Sequence, residues 1–502
     1  MDDLAARGVR FSAAYTPNPV CVPAREAVVT GRWGHRYSCL ENGGAGEPHG
    51  GAVLADGVRR TRAVGGRASA AVPTFPRLLH ESGYATFAAG KQHFRPVRDH
   101  RGYGRMELSE GQPAFRQDDE YLLFLRDRGY GYLTQPGGPR GPDYYVPHES
   151  VLPDDLHITA WNAQCCAAFI RANHNRPFFC TAGFFKPHPP FDPPRSYWDR
   201  YPAESVTLPH VGPADTAPDA PLDNFLLSQN RGKNIDAPDE ARTRSVRSAY
   251  YALVEQIDDG IALMLDTLRA SGILDNTVVV VSADHGELLG DHRAWGKRSF
   301  YEGSACVPML ISWPVGLPSG VVRYAPISTL DLFPTFLSAA GVSVPEAPDF
   351  LDGLDLLPYA RDGVLPDRPG VVSEYGQARR FKLMWRWHEP GLNGQARAQA
   401  RGQARAWKYV WLANGGREQL FDLTADPHEL HNLAGSDSAR CQQAHAHLAD
   451  WCRATDFASA LAPDGRLLSM PFEPIPLGEV NKQAPSWPAR DPDFRPDGAR
   501  PR

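Results

Sequence analysis

Apolar residues gather in three short runs along the chain. They span residues 84–89 (YATFAA), 177–182 (PFFCTA) and 277–282 (TVVVVS). Because the runs hardly alternate between apolar and polar residues, they are typical of strands that a parallel sheet buries on both faces. A helical pattern covers residues 245–270. Gly272 marks the end of this helix, and the third run follows it. Strands that alternate with helices predict an α/β fold with a mostly parallel central sheet sandwiched by helices.

The pattern changes near residue 373, where short strand-like pieces alternate with turn residues. We therefore predict an α/β domain over residues 1–372. A small α+β subdomain with an antiparallel sheet follows over residues 373–471, and a Pro-rich tail covers residues 472–502.

Composition narrows the choice of partners and compartment. The formal net charge of -5 gives no reason to expect a nucleic-acid partner. No run of about 18 apolar residues is present, so no membrane span is expected. Met1 is not followed by a signal peptide, and the eight cysteines form no CxxC pair. These features predict free thiols and a cytoplasmic protein, and they leave its oligomeric state open.

Polar residues follow each of the three apolar runs within six positions. Lys91 and His93 come after the first run, His188 after the second, and Asp284 and His285 after the third. Ligands of open α/β sheets bind beyond the carboxyl ends of the strands. We therefore expect these side chains to meet at one edge of the sheet and to form an active site.

A candidate nucleophile lies near the start of the chain. The CVPAR sequence of residues 21–25 follows a turn-rich stretch and precedes a helical pattern. Pro23 suits the first turn of that helix. The side chain of Cys21 then lies near a helix N-terminus, where partial positive charge favours an anion, and Arg25 points back toward it. From these residues alone, we predict a cysteine nucleophile with a low pKa.

The Cys-x-Pro-x-Arg motif, followed by Thr-Gly-Arg at residues 30–32, resembles the signature of formylglycine-dependent (type I) sulfatases. Those enzymes belong to the alkaline-phosphatase-like superfamily, and a separate formylglycine-generating enzyme oxidises their cysteine to 3-oxoalanine (formylglycine). Further likenesses run in the family's order over most of residues 3–434. They lie at residues 3–15, 90–93 (GKQH), 186–188 (KPH), 284–287 (DHGE) with Lys297, and 420–434.

The resemblance implies a covalent mechanism. Formylglycine 21 hydrates to a geminal diol, one hydroxyl attacks the sulfur of a sulfate monoester, and the alcohol is expelled. The second hydroxyl then loses its proton and sulfate is eliminated. Besides residue 21, the catalytic residues implied by the family are Arg25, Lys91, His93, His188 and Lys297.

Each of these residues has an implied role. Lys91, His188 and Lys297 bind the sulfate oxygens, and either His188 or Lys297 protonates the leaving alkoxide. His93 is the base for the elimination, and Arg25 holds the diol in position.

The resemblance also implies a divalent metal bound by the oxidised Cys21, Asp284 and His285. Calcium is favoured for an oxygen-rich site, with magnesium or manganese as alternatives. Relatives carry further ligands as an Asp-Asp pair that ends an N-terminal strand. Asp2 and Asp3 are not that pair, because they precede a stretch that is helical in relatives. We therefore expect the first strand to be missing and the metal site to lack those carboxylates.

The sequence thus predicts a sulfatase (sulfuric ester hydrolase) that cleaves a small-molecule or carbohydrate sulfate ester to an alcohol and sulfate. One alternative is a phosphonate monoester or phosphodiester hydrolase of the same fold. A second alternative is an inactive, truncated paralogue that lacks the N-terminal Asp pair.

Overall fold

The structure is a computed structural model. This structure describes residues 1–42, 72–94, 96–111, 113, 116–138, 144–216, 239–344, 351–389 and 405–473. The predicted Pro-rich tail lies outside this part of the chain from residue 474 onward. Within the described ranges, no helix combines the length and the apolar character that crossing a membrane requires.

Fourteen strands are described. They are β1 (Val9–Phe11), β2 (Ala14–Tyr15), β3 (Ala85–Gly90), β4 (Arg105–Leu108), β5 (Phe178–Gly183), β6 (Val279–Ser282), β7 (Cys306–Val307), β8 (Met309–Ser312), β9 (Val321–Arg323), β10 (Ile327–Ser328), β11 (Gly370–Tyr375), β12 (Lys382–His388), β13 (Ala406–Leu412) and β14 (Arg417–Asp422).

The α-helices of the described residues surround these strands. They are α1 (Asp2–Ala6), α2 (Cys21–Thr30), α3 (Phe75–Glu81), α4 (Glu120–Leu125), α5 (Ile158–Asn173), α6 (Arg195–Trp198), α7 (Glu240–Ala270), α8 (Glu302–Ala305), α9 (Leu332–Ala340), α10 (Leu357–Asp362) and α11 (Ser438–Ala454).

The three apolar runs form β3, β5 and β6, as the hydrophobic pattern predicts. The order β4-β3-β5 builds one sheet in which β3 is parallel to both neighbours. The order β6-β8-β1-β9 builds another, and β6 pairs with β8 in antiparallel orientation. Helix α5 packs against α7 and against the parallel sheet. The predicted α/β class with helices flanking a central sheet is therefore confirmed.

The burial expected for two of the runs is wrong. Five of the six residues of β5 and all four residues of β6 are half-exposed, whereas β3 is buried beyond its first residue. Among the described strands, β3 has a partner on both sides, β5 pairs with β3 alone and β6 pairs with β8 alone. An apolar strand with one partner remains open along its other edge.

The C-terminal strands β11 to β14 form an antiparallel sheet in sequence order, as predicted for this part of the chain. Alternate residues of each strand point to opposite faces of the sheet. On one face, Leu383 and Tyr409 pack with residues of α11 such as Leu448. On the other face, Met384 and Val410 pack with Phe300, which precedes helix α8. One face of this sheet is therefore buried against the segment that follows Lys297.

Candidate active site

Helix α2 places the candidate nucleophile in a buried position. The helix begins at Cys21 itself, because Val20 before it is extended with φ -151° and ψ 146°. The side chain of Cys21 is 1% exposed. Its Sγ atom marks the position from which the oxygens of an oxidised residue 21 would act. The helix N-terminus therefore directs its partial positive charge toward the reacting atom.

His285 and Lys91 both contact the sulfur of Cys21. His285 Nε2 lies 3.1 Å from Sγ, and Lys91 Nζ donates to Sγ at 3.7 Å. Burial disfavours a thiolate at this position, but the positive charges of Lys297 and Lys91 outweigh it. They bring the pKa of the Cys21 thiol well below its usual value. The pocket around residue 21 therefore stabilises negative charge.

Arg25 and Asp284 form a buried ion pair beside the nucleophile. Arg25 Nε donates to Asp284 Oδ2 at 2.8 Å, and Arg25 Nη1 donates to the carbonyl oxygen of Lys91 at 2.5 Å. Burial alone would raise the pKa of Asp284, but Arg25, together with His285 and Lys91, outweighs burial and holds that pKa well below its usual value. Arg25 thus fixes both the metal-ligand candidate Asp284 and the backbone that carries Lys91.

A small cation site can be assembled from three of these residues. One ligand atom each from Cys21, Asp284 and His285 lies within 4.8 Å of the others. The Nδ1 atom of His285 lies 2.9 Å from the carbonyl oxygen of Gly286, which leaves Nε2 with the lone pair that a metal needs. The donors fit a divalent cation in kind. Within the described ranges, Asp284 is the one carboxylate of the group, which is few for a hard cation that takes six or more oxygens.

The acidic residues near the N-terminus lie elsewhere. Asp2 and Asp3 occupy the first turn of helix α1 and are exposed. They do not belong to the group formed by Cys21, Asp284 and His285. This placement agrees with the expectation that they are not metal ligands.

His188 faces the nucleophile as a neutral imidazole. Burial, together with the charges of Lys297 and Lys91, holds the pKa of His188 well below its usual value. Its Nδ1 lies 2.7 Å from the carbonyl oxygen of Pro189, so Nδ1 carries the proton and Nε2 keeps a lone pair. The neighbouring Lys186 is directed elsewhere, because its Nζ donates to the carbonyl oxygen of Pro190 at 2.7 Å.

His93 lies on the loop after β3 and is held by a residue that the sequence pattern did not reveal. Its backbone is left-handed, with φ +58°. The amides of Gln92 and His93 both donate to Oε1 of the buried Glu110, at 2.9 Å and 2.8 Å. Glu110 follows strand β4, so it lies at the same sheet edge as the predicted residues. In the sequence, the one feature that could have indicated Glu110 is the strand-like piece that forms β4. That piece has only four residues and lies within a long irregular region.

Lys297 completes the site. It is half-buried, and its charge lowers the pKa values of both Cys21 and His188. The structure therefore brings together every residue that the sequence placed in the site. These residues are Cys21, Arg25, Lys91, His93, His188, Asp284, His285 and Lys297.

Comparison with known families agrees with this geometry. Residues 1–342 match the family model described as "Sulfatase". Residues 290–451 match the model described as "N-sulphoglucosamine sulphohydrolase, C-terminal". The second match covers the C-terminal sheet and helix α11 as far as residue 451, so the two matches together span both parts of the described fold.

Individual relatives cover most of the chain. A choline-sulfatase of Rhizobium meliloti (strain 1021) is 29% identical over 451 residues, which are 88% of this chain and 78% of the relative. An arylsulfatase of Clostridium perfringens (strain 13 / Type A) is 27% identical over 457 residues, 87% of this chain and 85% of the relative. Among solved structures, the phosphonate monoester hydrolase of Agrobacterium radiobacter superposes with a TM-score of 0.69 at 23% identity. That superposition covers 94% of each chain and shows a shared fold.

Proposed function

This chain belongs to the sulfatase family and is a sulfuric ester hydrolase, and on that premise we propose that it acts through a formylglycine derived from Cys21. The substrate is a sulfate monoester of a small molecule or a carbohydrate, and the products are an alcohol and sulfate. A formylglycine-generating enzyme is the partner that oxidises Cys21. The names of the relatives, choline-sulfatase and arylsulfatase, support a small organic sulfate.

The cationic cluster around residue 21 is the observation that carries this proposal. Lys91 and Lys297 depress the pKa of the Cys21 thiol in spite of its burial, in a chain whose formal net charge is -5. A sulfate monoester is an anion, and its charge is also retained as the ester bond breaks. Positive groups fixed in a buried pocket therefore stabilise both the bound substrate and the transition state.

We assign a separate role in binding, orientation or proton transfer to each residue around the cluster. Lys91 and Lys297 bind the sulfate oxygens, and Arg25 orients residue 21 while it is itself held by Asp284. His188 Nε2 has a lone pair, so we assign Lys297 as the donor of the proton that the leaving alkoxide takes up. His93 accepts the proton whose loss from residue 21 accompanies the release of sulfate.

The metal site of this proposal consists of Asp284, His285 and the oxidised residue 21. A divalent cation, with calcium favoured, supplies positive charge that polarises residue 21 and neutralises charge on the sulfate. Magnesium and manganese remain the alternatives to calcium. The acid-base and orienting roles above belong to Arg25, His93 and Lys297.

The test is to coexpress the chain with a formylglycine-generating enzyme and to compare its turnover of an aryl sulfate and an aryl phosphonate. A mass spectrum of the peptide that contains residue 21 reports the oxidation. We expect an aldehyde at residue 21, a clear preference for the aryl sulfate and complete loss of turnover in Cys21→Ala. A preference for the aryl phosphonate would favour the alternative hydrolase. No turnover by a chain that is oxidised at residue 21 would favour the inactive paralogue.

A further inference from the structure

The segment Gly296–Tyr301, which we term the Lys297 loop, has an unusual backbone. Gly296 has φ +86° and Arg298 has φ +79°, so both residues that flank Lys297 are left-handed. A residue with a Cβ atom is strained in that region. The contacts of the loop must therefore hold Arg298 in place.

On the catalytic side, two contacts fix this loop. The amide of Arg298 donates to the carbonyl oxygen of Pro19, two residues before Cys21, at 3.1 Å. The amide of Gly296 donates to Oε1 of Glu287. These contacts connect the loop to the nucleophile and to the strand end that carries Asp284.

On the opposite side, three successive strands of the C-terminal sheet reach the Lys297 loop. Lys382 of β12 donates through Nζ to the carbonyl oxygen of Arg298 at 2.8 Å. Lys408 of β13 donates through Nζ to the carbonyl oxygen of Phe300 at 2.7 Å. Gln419 of β14 donates through Nε2 to the hydroxyl of Tyr301 at 3.0 Å. One face of the sheet thus supplies a row of donors to three residues of the loop, at positions 298, 300 and 301.

The two lysines of this row differ in their surroundings. Lys408 also pairs with Glu302 at 2.5 Å and Glu429 at 2.8 Å, which makes it part of a buried ionic cluster. Lys382 is 2% exposed, and its ammonium lies 5.1 Å from the centre of the Tyr375 ring. Burial lowers the pKa of Lys382 to about 7. Burying a lysine head is unfavourable unless it is hydrogen-bonded, and for Lys382 the carbonyl oxygen beside Lys297 is such a partner.

We propose that Lys382 is a positioning residue for Lys297, through which the C-terminal sheet helps to shape the sulfate pocket. By holding the carbonyl oxygen of Arg298, Lys382 keeps the left-handed turn in place and aims the preceding side chain at residue 21. This inference rests on the proposed function, in which Lys297 binds sulfate. It assigns the C-terminal sheet a part in catalysis beyond that of packing.

A double-mutant cycle of Lys297→Met and Lys382→Met in the full chain tests this inference. Methionine retains most of the stem volume of lysine but removes the donor. The readouts are calorimetric binding of inorganic sulfate and kcat and KM for an aryl sulfate. We expect Lys297→Met to weaken sulfate binding about tenfold or more, the usual effect of losing a charged hydrogen bond. Lys382→Met should weaken it about threefold to tenfold, by displacing that same group.

The cycle should be strongly non-additive, so that Lys382→Met has almost no further effect once Lys297 is methionine. Arg386→Met is the matched control, because Arg386 lies on the same face of β12 and is buried, but it bonds Tyr15 and Trp387 instead. We expect it to lower the melting temperature without changing the sulfate affinity. If Lys382→Met does not fold, Lys382→Arg, which keeps a donor, should fold and retain at least a third of the wild-type sulfate affinity.

The outcomes separate this inference from the proposed function. Additive effects, a Lys382→Met protein that behaves like the Arg386→Met control, or a folded Lys382→Arg protein with the affinity of Lys297→Met would overturn the positioning role. If Lys297→Met itself leaves sulfate binding and turnover unchanged, the assignment of Lys297 under the proposed function is wrong, and the inference falls with it.

Discussion

The two halves of the site differ in how completely this chain builds them. On the proposed sulfate side, Lys91 and Lys297 place positive charge near residue 21, and side chains bond the carbonyl oxygens of Lys91 and of Arg298, the residue after Lys297. On the metal side, Asp284 is the one carboxylate among the three converging ligands, and Arg25 already bonds one of its oxygens. The first half carries an excess of positive charge, whereas the second offers little negative charge to a cation.

From this difference we expect the two proposed binding functions to be separable. An anion can enter a pocket whose cations are already fixed, since their positions depend on Arg25, Glu287 and the C-terminal sheet. A hard cation needs several oxygen ligands, and its affinity rises with their charge. We therefore expect sulfate to bind without a metal and calcium to bind weakly, with a Kd of about 10⁻³ M or higher.

The largest expected effect comes from removing a cation of the sulfate side. Lys91→Met should lower kcat/KM for an aryl sulfate by about 100-fold to 1000-fold, because it removes a fixed charge that faces the sulfate in the transition state. Steady-state kinetics measure this loss. Arg105→Met, which removes an exposed cation from the neighbouring strand β4, is the control and should leave kcat/KM unchanged. An effect of less than threefold in Lys91→Met would show that the sulfate side is not built around this residue.

We expect Asp284→Asn to have a smaller effect, which is confined to calcium binding on the metal side of the site. The loss of the one carboxylate should weaken calcium binding at least about tenfold and abolish stimulation of turnover by calcium. Binding of inorganic sulfate to the metal-free protein should change less than threefold. Calorimetric titrations with calcium and with sulfate measure the two affinities. If the two affinities fall together, the halves are coupled through Arg25, which also loses its partner in this variant.

The smallest effect concerns the backbone that positions the sulfate side. Glu110→Leu removes the acceptor of the Gln92 and His93 amides and should lower kcat about tenfold, since unpaired buried amides cost about 1–3 kcal/mol. Glu110→Gln keeps an oxygen acceptor and should retain most of the activity. Glu107→Gln, on strand β4, is the control. Equal losses in the glutamine and leucine variants would show that the charge of Glu110 matters rather than its hydrogen bonds.

The strands that were predicted correctly share one property. Each of them is indicated by a run of neighbouring residues in the sequence. The run at residues 277–282 is apolar over its whole length, and the structure has a strand there at Val279–Ser282. The strand β4 carries a weaker signal, because it has four residues and two of them are charged. Glu110 was therefore missed, although it lies at the same sheet edge as Lys91 and His93.

Burial and partner choice were less predictable because they depend on neighbours distant in the chain. The sequence of β5 is apolar, yet the strand is half-exposed, since β3 is its one partner among the described strands. Likewise, no local pattern reveals that Lys382 reaches the carbonyl oxygen of Arg298, 84 residues earlier. Hydrogen bonds of this kind arise only when a sheet packs its face against a loop.

By itself, the sequence determined the α/β class, the candidate nucleophile at residue 21 and the candidate set of charged residues, because strand patterns and chemical motifs consist of residues close together in the chain. Tertiary structure alone decided that Arg25 pairs with Asp284, that His285 and Lys91 contact one sulfur, and that the C-terminal sheet holds the loop of Lys297. The physical reason is distance. Coulombic and hydrogen-bond energies depend on separations of a few ångströms between atoms that folding brings together from opposite ends of the chain.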